Sequence, residues 1–144
     1  MRLNMLTHQS IVLTQNDYSR LKQLLAALSR QTEGTQAGLE TLEEILDLAS
    51  VVQPEKVPAN TVTMNSRVMF EDVRTGEKGT VTIVYPTDTD VSTHRISILS
   101  PVGAALIGEA QGAEIELPVP HGQTRRIRIV DVLYQPEAEG NFEL

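Results

Sequence analysis

The hydrophobic residues of this chain change their period once, and that change limits the fold more than any other feature. From Tyr18 to Ala49 they recur at three- and four-residue steps; from Thr61 onward they alternate. A period near 3.6 lines one face of a helix and a period of two lines one face of a strand. The chain therefore reads as helices first and sheet second. Between the two, "VVQPEKVPAN" carries Pro54 and Pro58, which end the helical pattern. The expected organisation is α+β: a lead-in strand and helical hairpin arm over residues 1–53, a linker over 54–60 and a sheet domain over 61–144.

In the first part, Ile11, Val12 and Leu13 form a short β-branched run that predicts an extended lead-in. Thr14 followed three residues later by Asp17 has the spacing of a capping box, and Asp17 also suits the positive helix end. Asn16 is an equal candidate for the cap. Tyr18, Leu21, Leu24, Leu25 and Leu28 make one stripe; Leu39, Leu42, Ile45, Leu46 and Ala49 make a second, with Glu40, Glu43, Glu44 and Asp47 outside it. The turn "SRQTEGTQAG" joins them, with Thr32, Glu33 and Gly34 at its tip and the second helix starting at Thr35 or Gln36. So short a connection makes the helices antiparallel, each roughly 20–25 Å long at 1.5 Å per residue. Such a hairpin can lie along a sheet for its whole length or project as an arm. The narrow stripes favour the arm.

The second part reads as an antiparallel sheet of about five strands with one short helix. "TVTMNSRVMFEDV" alternates through Val68 and Phe70, and Gly76 in "RTGEK" offers a positive φ for the turn. "GTVTIVYP" places Val81, Ile83 and Tyr85 on one face; "RISILS", "GAEIELPVP" and "QTRRIRIVDVLYQ" follow as strands. The phase of the last is ambiguous past Val130, which suggests a bulge or strong twist. "PVGAALIG" is a short helix with Pro101 in its first turn and Gly108 at its C-cap. The acidic tail "PEAEGNFEL" is expected on the surface.

Charge and composition exclude several classes. The net charge is −7, with 4 basic and 6 acidic side chains over residues 1–53 and 8 and 13 over 54–144. Neither part offers the cationic face that phosphate neutralisation needs, so direct, specific nucleic-acid binding is not expected. There are no cysteines, no leader pattern and no apolar run of membrane-spanning length. A cytoplasmic protein is expected. Asp88, Asp90 and His94 share a polar loop, where Asp-Thr-Asp more commonly forms turn hydrogen bonds than a metal site. Arg125, Arg126 and Arg128 are the densest basic run; a solvated strand face is their expected role, an anion patch the alternative. His8, His94 and His121 have no serine or carboxylate at telling spacing, and Gly103, Gly108 and Gly112 lack the spacing of a phosphate loop. No catalytic residue, metal ligand or cofactor is assigned, and the chain is not read as an enzyme.

Several stretches carry a resemblance. "ISILSPVGAALIG", "IELPVPHG" and "IRIVDVLY" resemble the C-terminal domain of the bacterial Gre transcript-cleavage factors, and "IVLTQNDYSRLKQLL" is similar to the start of their coiled coil. "VTMNSRVMF", "SPVGAALIG" and "YQPEAEG" look closer still to the regulator of nucleoside diphosphate kinase (Rnk) family, Gre relatives with a shortened arm. The resemblance covers nearly the whole chain from Ile11 and is loosest within the helices.

The resemblance implies an FKBP-like C-terminal domain joined to a helical hairpin. It implies binding to RNA polymerase at the rim of the secondary channel, with the Ser-Pro corner that maps to Ser100, Pro101 and Val102 taking part in docking. Gre arms end in paired acids that help hold the second catalytic Mg²⁺. A hard cation prefers several oxygen ligands, whereas this tip has Glu33 alone and the next acid is Glu40. The expectation is a monomeric regulator that contests the channel with Gre factors without stimulating cleavage. Direct binding to nucleoside diphosphate kinase is an alternative. A peptidyl-prolyl isomerase, suggested by the fold alone, suits a chain with no Trp and two Phe poorly.

Overall fold

A computed structural model of the protein describes residues 11–29, 36–118 and 124–141. Its elements are β1 (Val12–Thr14), α1 (Gln15–Ser29), α2 (Gln36–Leu48), β2 (Ser50–Val52), β3 (Arg67–Asp72), β4 (Lys78–Val84), β5 (Arg95–Ser97), α3 (Pro101–Leu106), β6 (Glu114–Pro118) and β7 (Thr124–Tyr134). The fold is α+β.

Helix α1 starts where the spacing places it. Thr14 Oγ1 accepts a hydrogen bond from the Asp17 N–H at 3.0 Å, which satisfies one orphan donor of the first turn. Thr14 is thus the cap, and Asn16 lies inside the helix. Asp17 does not close a reciprocal capping box. Its carboxylate instead accepts from the Met64 N–H at 3.1 Å, far along the chain.

The hairpin is clamped at its open end by a strand that the sequence reading does not contain. β2 pairs with β1 in parallel, Val12 opposite Ser50 and Thr14 opposite Val52. Three residues carry no readable period, and the partner is supplied from nearly forty positions away. Leu13, Leu21, Leu42, Ile45 and Leu46 join Val62, Met64, Val68, Ile83, Ile98, Leu106, Ile127 and Ile129 in one core. Each fully buried leucine contributes roughly 1.5–3 kcal/mol. Nearer the tip, Leu24, Leu25, Leu28 and Leu39 are only half-buried, while Glu40, Glu43, Glu44 and Asp47 are exposed. Neither arrangement expected for the hairpin describes all of it, because its base belongs to the core and its cover thins along the seam.

The larger sheet has the order β5-β4-β3-β7-β6. β3 is antiparallel to β4 and β7, and β6 to β7, but β5 runs parallel to β4. The expectation of a wholly antiparallel sheet is therefore corrected. The connection through residues 85–94 contains two 3-10 turns and brings the chain back beside Thr82, so that Arg95–Ser97 run in the same direction as Thr82–Val84. β7 shifts register against β3 twice, between the partners of Met69 and Phe70 and again between those of Arg67 and Val68. The first shift leaves Val130 unpaired in the register, where the sequence phase becomes ambiguous.

Helix α3 closes the core from the side of Leu106 and Ala104. Gly103 lies against β5 so closely that a Cβ would overlap the Ser97 carbonyl oxygen. The C-cap is Ile107, not Gly108 as expected; Gly108 follows with φ +80 and packs where a Cβ would overlap Ile11 Cγ2. Only glycine combines that backbone with that contact. Its carbonyl accepts from the Val12 N–H at 3.0 Å, and its own N–H donates to the Val62 carbonyl at 2.8 Å. The tail also departs from expectation. Gln135 and Pro136 are buried, Glu137 is half-buried, and only residues 138–141 of the described tail lie fully on the surface.

Candidate functional site

The corner at Ser97–Gly103 is built by backbone economy. Ser100 caps α3: its hydroxyl oxygen accepts from the Gly103 N–H at 3.1 Å and its hydroxyl donates to the Ser97 carbonyl at 2.7 Å. Ser97 Oγ in turn accepts from the Leu99 N–H at 2.9 Å. Both serine side chains are therefore committed to holding the turn rigid. Pro101 occupies the first helical turn and is exposed, Ser100 is half-buried, and Val102 is half-buried against the core. The three residues thus form one fixed corner, and Pro101 is the part that faces solvent.

A second polar cluster joins the hairpin to the sheet domain. Beside the Asp17 bond to Met64, Thr63 Oγ1 donates to Glu137 Oε1 at 2.8 Å and lies 2.8 Å from Ser66 Oγ. Burial pushes the Asp17 carboxyl up to about 6, with the Glu137 charge adding to the rise and the Met64 N–H, Arg20 and Thr14 opposing it. Burial also pushes the nearby Tyr85 hydroxyl above its ordinary range. Gln135 Nε2 donates to the Pro58 and Thr61 carbonyls at 2.7 and 2.8 Å. Sequence reasoning missed this cluster. Asp17 carried a signal as a helix-start residue, but nothing local marks its partner 47 positions away.

The other candidates separate. The tip residues Thr32, Glu33 and Gly34, together with His8 and His121, lie outside the described residues. Asp90 accepts from the N–H and hydroxyl of Ser92 at 3.0 and 2.7 Å, which holds its carboxyl below the usual range. Asp88 and His94 are exposed, and no group of three metal-ligating side chains forms among the described residues. The basic run of β7 is taken up by acids. Arg125 pairs with Asp72 at 3.0 Å, Arg126 with Glu116 at 2.8 Å, and Arg128 with Glu71. Arg126 and Arg128 share a face, as alternation requires, opposite Glu116 and Glu114 of β6. Arg126 and Arg128 form the solvated face expected of them, and Arg125 lies on the other face of β7, opposite Leu117. No helix among the described residues is long and apolar enough to cross a membrane.

The fold is a helical hairpin clamped onto a sheet domain, and the comparisons place it among the Gre-type transcription elongation factors. Residues 57–134 match the family described as transcription elongation factor, GreA/GreB, C-terminal, and residues 9–52 match the Rnk N-terminus. The chain belongs to the Gre/Rnk family. Among its relatives, the regulator of nucleoside diphosphate kinase of Escherichia coli K12 is 39% identical over 105 residues, 73% of this chain and 77% of that protein. Transcription elongation factor GreA of Syntrophus aciditrophicus is 31% identical over 98 residues, 68% of this chain and 60% of that longer protein. The solved GreA/GreB elongation factor of Nitrosomonas europaea superposes with a TM-score of 0.70 at 45% identity, covering 88% of this chain and 99% of its own.

Proposed function

We propose that this protein is a transcription regulator that binds bacterial RNA polymerase at the rim of the secondary channel. It docks through Ser100, Pro101 and Val102, and it competes there with Gre-type elongation factors. The observation that carries the reading is the Gre-type C-terminal match over 57–134, inside which a doubly hydrogen-bonded Ser100 holds the exposed Pro101 in a fixed position. A preordered corner of this kind loses little conformational freedom on docking. In this reading residues 1–53 are an arm that enters the channel, 54–60 the linker and 61–144 the docking domain. The protein acts as a monomer in the cytoplasm, where polymerase is. The arm does not stimulate transcript cleavage, because its tip sequence supplies one carboxylate, Glu33, where a second Mg²⁺ calls for more.

The test is a titration of labelled protein with core RNA polymerase, with and without excess GreA, repeated with Pro101→Glu. That variant adds a charge at the exposed position and keeps the Ser100 cap. Saturable binding that GreA displaces and Pro101→Glu weakens is the expected result. Absence of binding at micromolar concentration would sink the proposal and favour direct binding to nucleoside diphosphate kinase, which the name of the Escherichia coli relative suggests. Cleavage of backtracked RNA that disappears in Glu33→Ala would overturn the inactive tip.

A further inference from the structure

The outer face of the sheet holds a groove of about 810 Å³ that the Gre-like reading does not use. Four residues cross its floor in one row, each on a neighbouring strand: Arg95 of β5 is in register with Thr82 of β4, Thr82 with Arg67 of β3, and Arg67 with Tyr134 of β7. Registered partners share a face, and all four line the groove. With strands about 4.8 Å apart, the two arginines are separated by roughly 10 Å and the whole row runs roughly 14 Å.

Three observations set this row apart from ordinary surface. The protein carries 19 acids against 12 Lys and Arg, and the β7 arginines all have acidic partners. Arg67 and Arg95, by contrast, have no acid within ion-pair distance among the described residues. Asp90 bridges Arg95 through the backbone and its charge interacts with Arg95 from beyond ion-pair distance, while its Oδ1 accepts both bonds from Ser92. Second, Asn65 and His94 are the non-glycine residues with positive φ, 69 and 59, among those described, and both line the groove. Each comes one or two positions before an arginine of the row. Asn and His take this backbone more readily than other residues with a Cβ, and here it turns the chain into each arginine of the row, His94 as the cap of the Val91–Thr93 turn. Third, Tyr134 presents a large exposed aromatic side chain at the end of the row.

We propose that this groove binds a small phosphorylated ligand carrying a planar ring, of nucleotide size. The guanidinium forks of Arg67 and Arg95 suit neighbouring phosphates. Thr82 lies between them as a hydroxyl donor, and Tyr134 offers the face on which a ring stacks. The volume is that of a small-ligand site. Asp88 at the rim, together with the net charge of −7, repels an extended phosphate backbone and favours a short ligand over RNA. The site is independent of polymerase docking, and its test contains no polymerase.

The experiment is isothermal titration calorimetry of the full chain with ADP, GDP and inorganic pyrophosphate. Circular dichroism confirms that each variant is folded. Micromolar binding of a nucleoside diphosphate is expected, with pyrophosphate at least tenfold weaker. Arg67→Ala and Arg95→Gln should each weaken binding tenfold or more, and Arg126→Ala should leave it unchanged. Tyr134→Leu should bring the nucleotide down to the level of pyrophosphate without moving pyrophosphate itself. Arg95 lies on a three-residue edge strand, so its variant carries the test if Arg67→Ala fails to fold. Absence of binding below millimolar concentration, or affinity indifferent to Arg95→Gln, would overturn the site. Pyrophosphate binding as tightly as the nucleotides would overturn the ring seat.

Discussion

Asp17 gives the sharpest test of how the hairpin is joined to the sheet domain. Its side chain is 1% exposed and holds the Met64 N–H, with Glu137 raising and Arg20 lowering the cost of its charge. Folding lifts its carboxyl from 3.8 to about 6. The folded protein therefore holds this proton more tightly than the unfolded chain does, and stability falls as pH rises from 3.8 through 6, then levels. At about 1.36 kcal/mol per pH unit, the charged form costs about 3 kcal/mol once pH is well above 6. Asp17→Asn keeps a carbonyl oxygen for Met64 and removes the charge. Urea denaturation of both proteins at pH 4, 5, 6 and 7.5 separates this contribution from the other carboxylates, whose titrations are common to both. At pH 4 the unfolded carboxyl is already more than half ionised, so the stability of the variant relative to the parent should rise by about 2.4 kcal/mol between pH 4 and 7.5. A constant offset across that range would refute the argument, since it would mean that Asp17 carries no buried charge.

Three further substitutions test the joints of the fold. Gly103→Ala forces a methyl group onto the Ser97 carbonyl and should cost about 1–3 kcal/mol in urea denaturation. Ser100→Ala removes the α3 cap and the donor to Ser97, with an expected loss of about 0.5–2 kcal/mol; an unchanged midpoint would show that the corner holds without its serine. Gln135→Leu strips the donor from the buried Thr61 carbonyl, at about 1–3 kcal/mol, while the Pro58 carbonyl keeps the Thr61 N–H. Hydrogen exchange should then speed up over residues 58–64 before the rest of the sheet.

The start of α3 was legible from Pro101, a local signal, whereas Ser100, Pro101 and Val102 as a docking corner came from the resemblance. Proline at the start of α3, serine before it and glycine three residues after Ser100 make a cap that needs no distant partner. The arginine row was not legible. Arg67 and Arg95 stand alone in the sequence, while the dense cluster Arg125, Arg126 and Arg128 is ion-paired. Density of charge along a chain says little about which charges a sheet leaves unpaired, because register decides that.

The sequence by itself determined the two helical stripes, the Gly76 turn and the alternating strands, and narrowed the first cap to Thr14 or Asn16. Those follow from interactions among residues a few positions apart, whose free energies hold in almost any surroundings. Tertiary structure alone decided that β1 takes β2 as a parallel partner, that β5 runs with β4 instead of against it, and that Asp17 is buried on Met64. Each of these joins residues separated along the chain by turns and whole elements. A pairing of that kind is worth making only once the loop between its members has been closed and the rest of the core holds it shut.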